Sequence, residues 1–353
     1  MRFGPGDEAA ALRDAAAGLL ASEVPPPVVR AGWPGGDPGL VMAAWRKLAG
    51  TGAAGTLVPE ERGGLGLDET SLVPLLEEIG YSGLPVPAAE TIAVAAPLLA
   101  AASAAGPPPA GPSPEGDALD GLLAGDTLVA AGLGGGDLVP FGQTATLIVL
   151  RDGPGLRLYN RDDLVLRPCE TTDGSRAAAR LETRPAGGGT LLTEDPAAVE
   201  AAWQRGVLAT SALLTGLARR MLDLTVAYVK QREQYGAPIG SFQAIKHALA
   251  NALVAVEFAR PMVLAAGWAQ AAGEPSAAGE PGAAAQTSAA KVLASDSARQ
   301  VARTAIQCHG AIGYTTEYDL HLFAKRAWAL APSWGTPDWH RAQLARSVGV
   351  SDD

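Results

Sequence analysis

Apolar residues recur at three- and four-residue steps over most of the first hundred positions. Ala10, Leu12, Ala16, Leu19 and Leu20 form one stripe, and Leu40, Val41, Ala44, Trp45 and Leu48 form a second. Leu72 to Ile79 forms a third, with Pro74 tolerable if it falls in that helix's first turn. Gly63-Gly64 with Gly66 marks a turn between helices, and Gly106 to Pro114 reads as a Pro-rich linker. From about Asp126 to Glu194 the pattern changes to short runs divided by Gly, Asp and Pro. Leu128 to Ala131, Ala145 to Leu150, Leu156 to Tyr159 and Leu164 to Leu166 predict strands of a small β domain. After Pro196 the helical period returns, over Ala197 to Arg232, Phe242 to Ala271, Ala283 to Cys308 and Tyr314 to Ala329, with Gly273 to Gly282 as an inter-helix loop. The order α, β, α predicts an α+β chain. A helical domain spans 1–120, a small β domain 121–195, and a C-terminal four-helix bundle 196–353.

Composition fits that picture. Hydrophobic residues make up 48% and charged residues 18% of the 353, which suits packed domains and not a disordered chain. The net charge of −10, with no Lys/Arg run to offset it, argues against nucleic acid as a partner, so an anionic ligand must be met by local Arg, Lys or helix N-termini. The 2 cysteines, Cys169 and Cys308, are too few for a disulfide framework and lack metal-ligand spacing, which predicts a cytoplasmic protein without a metal. The N-terminus has no signal-type apolar core. The most apolar run, Thr91 to Ala105, is interrupted by Pro97 and too short to span a bilayer, so no membrane segment is expected. Glu60, Glu61, Glu77 and Glu78 read as helix-end and surface charge. Gly134-Gly135-Gly136-Asp137 reads as a loop between strands, because no phosphate-binding motif follows it.

Chemistry concentrates between Arg232 and Lys246. Gly236 and Pro238 stop the preceding helix, and Ser241 is a plausible N-cap for the next. Arg232, Gln234 and Gln243 place an Arg and two Gln at a tight turn. Such donors can hold a diphosphate or an adenine, or simply cap two helices; on chemistry alone both readings stand.

The stretch Arg232-Glu233-Gln234-Tyr235-Gly236-Ala237-Pro238-Ile239-Gly240-Ser241-Phe242-Gln243 resembles the Arg-x-x-Phe/Tyr-Gly-x-Pro-Ile-x-x-Phe-Gln corner of the acyl-CoA dehydrogenase family. Two further segments resemble the same family: Gln307-Cys308-His309-Gly310-Ala311-Ile312-Gly313-Tyr314, and Val58 to Leu67 followed by Leu76-Glu77-Glu78-Ile79-Gly80. The resemblance implies FAD as cofactor and removal of an acyl-CoA α-proton by a carboxylate while the β-hydride passes to the flavin. It also implies that Arg232 pairs with the FAD diphosphate, that Gln234, Tyr235, Gln307, Gly310 and Ala311 lie along the diphosphate and adenosine, and that Gln243 supports the corner.

The family's usual base is a Glu followed by Gly-Thr. Here Gly335 and Thr336 hold that frame and Trp334 stands in place of the Glu, with an indole that has no basic lone pair. The alternative base position, early in the first bundle helix, falls on Gly206, or on Arg205 with a one-residue slip. Asp338 is the nearest carboxylate, about a turn beyond. The family's flavin-ring segments, Thr-Glu-Pro-x-x-Gly-Ser and Trp-x-x-Asn-Gly, are not found between Asp126 and Pro196. No catalytic residue is therefore assigned. The pattern resembles the subunit lacking the Glu in heteromeric actinobacterial acyl-CoA dehydrogenases. That implies an α2β2 assembly with a homologous catalytic subunit, FAD at the interface, and an acyl-CoA, such as a steroid side-chain thioester, bound mainly by the partner. Two alternatives stand beside it: a self-sufficient dehydrogenase with a base such as Asp338, and a flavin-free dimerisation partner.

Overall fold

Residues 6–104, 114–273 and 282–350 are described by the computed structural model, so the linker at Gly106 to Pro114 (Pro114 apart) and the loop inside Gly273 to Gly282 lie outside the described residues. The helices before the β region are α1 (Asp7–Glu23), α2 (Pro26–Ala31), α3 (Pro38–Ala49), α4 (Glu69–Ser82), α5 (Ala96–Ala104) and α6 (Pro114–Leu123). Asp37 and Asp68 cap α3 and α4 by accepting from Gly39 N at 2.8 Å and Thr70 N at 2.9 Å. Because the cap at Asp68 starts α4 ahead of its apolar stripe, Pro74 falls in the second turn, not the first. A π-helical turn, Ala89–Ala95, leads into α5. Pro97 accounts for it, since its ring crowds the carbonyl four residues back and it has no N–H to donate there.

The strands, in chain order, are β1 (Val129–Gly132), β2 (Leu138–Val139), β3 (Leu147–Asp152), β4 (Gly155–Asn160), β5 (Val165–Pro168), β6 (Ala179–Thr183) and β7 (Thr190–Thr193). One sheet runs β1-β3-β4-β7 with β1 and β3 parallel, and the other runs β2-β6-β5. The predicted runs correspond to β1, β3, β4 and β5, while β2, β6 and β7 were not predicted, since each carries only two apolar residues. Val139, Phe141, Ile148 and Tyr159 form a small core of this domain's own.

The C-terminal helices are α7 (Pro196–Gln231), α8 (Gln243–Ala272), α9 (Ala283–His309), α10 (Leu320–Leu330) and α11 (Pro337–Ser347). Asp195 caps α7 through Ala197 N at 3.0 Å. Three details differ from the sequence reading. Ser241 ends a 3-10 turn and Phe242 occupies the N-cap of α8, without a side-chain cap. The last predicted helix opens with a 3-10 turn, Gly310–Tyr314, so α10 starts only at Leu320. A fifth helix, α11, follows.

Helices α4 and α7 cross with backbones almost touching. A Cβ on Gly80 would lie 2.3 Å from the Leu213 carbonyl oxygen, and one on Gly216 2.0 Å from that of Glu77. Glu77 is only 5% exposed beside this crossing and pairs with Arg219 at 2.9 Å and Arg260 at 2.6 Å, so it is a buried ion-pair centre tying α4, α7 and α8, not surface charge. The β domain is fastened to the bundle by Arg326 of α10, which donates to the buried Asp173 and to Ser175. Helix α8 is long and apolar where Thr91 to Ala105 is apolar but short. Its best 18-residue window has a mean hydropathy of 1.5, long enough for a bilayer by length and composition, yet only 22% of that window is buried. Leu253, Val254, Phe258 and Trp268 are exposed along it.

Candidate functional site

A cavity of about 1520 Å3 opens between the β domain and the bundle. Its walls come from Gly134-Gly135-Gly136 in the β1–β2 loop, Val199 and Trp203 of α7, Ala285 and Ser288 of α9, and the Ser333-Trp334-Gly335-Thr336 turn between α10 and α11. That turn is sharply constrained. Trp334 adopts φ 59° and Gly335 φ 93°, the left-handed region in which a bulky side chain is strained. The His340 ring holds it, with Nε2 donating to the Trp334 carbonyl at 2.9 Å and Nδ1 accepting from Ser288 Oγ at 3.0 Å. Burial pushes His340 down to about 4, so the ring is neutral near pH 7. Lys291, fully buried, donates to the Leu330 and Ala331 carbonyls at 3.2 Å and 2.6 Å and thereby caps α10 just ahead of the turn. Burial lowers it to about 7.

The Trp334 indole packs on Trp203, with ring centroids 5.4 Å apart, and directly over Gly206. A Cβ on Gly206 would lie 2.4 Å from Trp334 Cε3. The two positions singled out as base positions thus face one another, and one is filled by an indole that requires the other to be glycine. Arg205 points away and pairs with Glu69 at 2.8 Å, which resolves the one-residue slip in favour of Gly206. Asp338 lies apart from the cavity: its side chain is 93% exposed in the first turn of α11, paired with Arg341 at 2.7 Å, and does not line the cavity.

Glu90, on the π-helical turn, was missed by the sequence reading. It lines the cavity, and its only signal was being the lone charge in Leu84 to Ala104. Burial raises its carboxyl, opposed first by the Arg176 charge and more weakly by the Trp334 indole N–H and Arg326. Arg176, from the segment between β5 and β6, is also buried on the cavity wall. Its Nη1 donates to the Ala329 carbonyl and to Ser333 Oγ, both at 3.0 Å.

The predicted cofactor-binding residues sit elsewhere, at one end of the bundle. After α7, Glu233–Gln234 and Ala237–Pro238 pair as a two-residue hairpin whose turn, Tyr235 at φ 53° and Gly236 at φ 78°, takes the left-handed backbone that tight hairpins demand. Tyr228, one turn before Arg232, stacks on His309 at 4.2 Å between ring centroids. That contact brings the Arg232 corner beside the end of α9, where Gln307, Gly310 and Ala311 lie. Arg232, Gln234, Tyr235, Gln243, Gln307, Gly310 and Ala311 are all exposed, Tyr235 at 95%. Among the described residues, the Arg232, Gln234, Gln243 and Gln307 side chains make no hydrogen bond or ion pair. Arg232 ends α7 through its backbone alone, so the guanidinium is not spent on capping. Among the described residues, no group of His, Cys, Asp or Glu is placed to hold a metal ion.

Comparison with known proteins identifies the family and the fold. The models for the acyl-CoA dehydrogenase N-terminal and C-terminal domains match residues 6–105 and 197–349. The chain is 34% identical over 332 residues to acyl-CoA dehydrogenase IpdE2 of Mycobacterium tuberculosis, covering 92% of each. A solved Tcur3481–Tcur3483 steroid ACAD variant superposes with a TM-score of 0.78 at 26% identity, over 97% of this chain and 98% of that one. The ChsE4–ChsE5 complex from Mycobacterium tuberculosis does so with a TM-score of 0.79 at 21% identity and 100% coverage of both, which bears on the fold alone.

Proposed function

The chain belongs to the acyl-CoA dehydrogenase family, and we propose that it serves there as a subunit without a base, completing the FAD site of a homologous catalytic subunit. The observation that carries this reading is Trp334 seated on Gly206: both positions that would carry the proton-abstracting carboxylate are occupied by groups that cannot abstract a proton.

The cofactor is FAD. This chain's residues suit its adenosine diphosphate half, because Arg232, Gln234 and Gln307 offer exposed donors not committed among the described residues. They suit the ring half poorly, because the Gly134-Gly135-Gly136 wall presents no side-chain donor where the family's ring-binding segment is missing. When bound, FAD supplies the hydride acceptor. Arg232 and its neighbours would anchor the diphosphate from across an interface, and the exposed Tyr235 and Phe242, whose rings meet at 6.3 Å, would be covered by the partner. The solved Tcur3481–Tcur3483 complex pairs two different chains, which favours a hetero-oligomer, α2β2 in our reading, acting on a steroid-type acyl-CoA in the cytoplasm.

The test is turnover. The pure chain alone should oxidise no acyl-CoA and carry little flavin, and activity should appear with its catalytic partner. Glu90 favours a second reading, a chain with its own base, since it keeps a buried carboxyl in the cavity. Turnover by the chain alone, lost in Glu90→Gln, would establish that reading instead.

A further inference from the structure

Arg176 is 6% exposed, yet its Nε and Nη2 have no hydrogen-bond partner among the described residues. Its structural bonds use only Nη1. Nε and Nη2 form the edge of a guanidinium that takes a carboxylate with two parallel N–H···O bonds. The carboxylates nearby do not fill that role. Asp173 is engaged by Arg326 and Ser175, and no ion pair joins Glu90 to Arg176 among the described residues. A buried guanidinium with the donors of Nε and Nη2, three of its five, unmet is costly, and such groups are kept where something else arrives to meet them.

The space beside Arg176 has the character of a small-molecule pocket. The cavity is larger than most such sites, and Trp203, Trp334 and Trp339 line it together with Leu133, Leu138 and Val199. The three indoles make one connected wall, Trp203 lying 5.4 Å from Trp334 and 6.0 Å from Trp339 between ring centroids. Ser333 links that wall to Arg176. We propose that this cavity binds an apolar carboxylic acid, its carboxylate held by the Nε–Nη2 edge of Arg176 and its body lying against the tryptophan wall. Burial raises the Glu90 carboxyl toward its neutral form, which lessens its opposition to an arriving carboxylate. This ligand belongs to the chain's own cavity, so the inference does not depend on a partner subunit or on FAD.

The test uses the full chain and two fluorescent probes of matched shape, 1-pyrenebutyrate and 1-pyrenebutanol, followed by energy transfer from tryptophan and by calorimetry. The acid should bind at least ten-fold more tightly than the alcohol. Arg176→Met should abolish that preference while leaving the alcohol unchanged. If Arg176→Met does not fold, Arg176→Lys keeps the charge without the paired donors and should lose most of the preference. Glu90→Gln, which keeps a donor and removes any repulsion, should retain or strengthen acid binding. Equal affinity for the two probes, as adsorption on the exposed face of α8 would give, overturns the proposal. So do failure of the acid to bind and a preference that survives in both Arg176 variants.

Discussion

Replacing Gly206 by alanine tests the seating of Trp334 with a single methyl group. In an exposed helix the change would stabilise by about 1 kcal/mol, because glycine is the poorer helix former. Here the new Cβ would fall 2.4, 2.5 and 2.6 Å from three indole atoms, well inside contact distance. The ring cannot easily retreat, with Trp203 against it, the backbone held at φ 59° and its carbonyl tied to His340. Overpacking of this kind costs about 1–3 kcal/mol, so Gly206→Ala should be neutral to about 2 kcal/mol destabilising in the native chain. In a Trp334→Ala background the clash is gone and the same substitution should stabilise by about 1 kcal/mol. The coupling between the two sites is therefore about 1–3 kcal/mol, readable as a difference of a few degrees among four melting curves. If Gly206→Ala has the same effect in both backgrounds, the indole does not lie on Gly206 and the claim that the two base positions share one spot fails.

Trp334→Glu should not make the chain active alone. It would set a second carboxylate beside Glu90 and cost a few kcal/mol, so melting curves should fall while turnover stays absent. His340, held near 4 when folded against 6.5 when free, makes the unfolded chain bind the extra proton between those values. Stability should then fall by about 3 kcal/mol as pH drops from 6.5 to 4, and His340→Asn should flatten that slope in acid denaturation. Lys291 works in the other direction. With a folded value of about 7 against 10.5, it is neutral in the fold while the unfolded chain keeps its proton, so native stability should rise from pH 7 to 10.5 relative to Lys291→Met.

The helical order and the existence of a tight turn from Arg232 to Gln243 were legible because each is local. Stripes of Leu and Ala give α1, α3 and α4, and Arg232 to Gln243 forms one continuous turn between α7 and α8. What sequence could not show was partnership at a distance. Glu77 read as surface charge because its partners Arg219 and Arg260 lie far along the chain. Trp334 read as a missing base, but its fit to Gly206, and its support by His340 and Ser288, arise only when α7, α9 and α11 meet. Glu90 and Arg176 left still less trace, since neither sits in a motif. The strand β2, two residues long, is placed by its pairing with β6 and not by any pattern of its own.

The central claim is that this chain completes a flavin site whose chemistry belongs to another subunit. Flavin content of the purified heteromer, with Arg232→Ala made in this chain alone, tests it most directly. A charge-assisted contact to a diphosphate is worth roughly 1.5–3 kcal/mol, so the variant complex should assemble normally, bind FAD at least ten-fold more weakly and lose it on dilution. A complex that keeps its full flavin with Arg232→Ala, at unchanged affinity, would contradict the account.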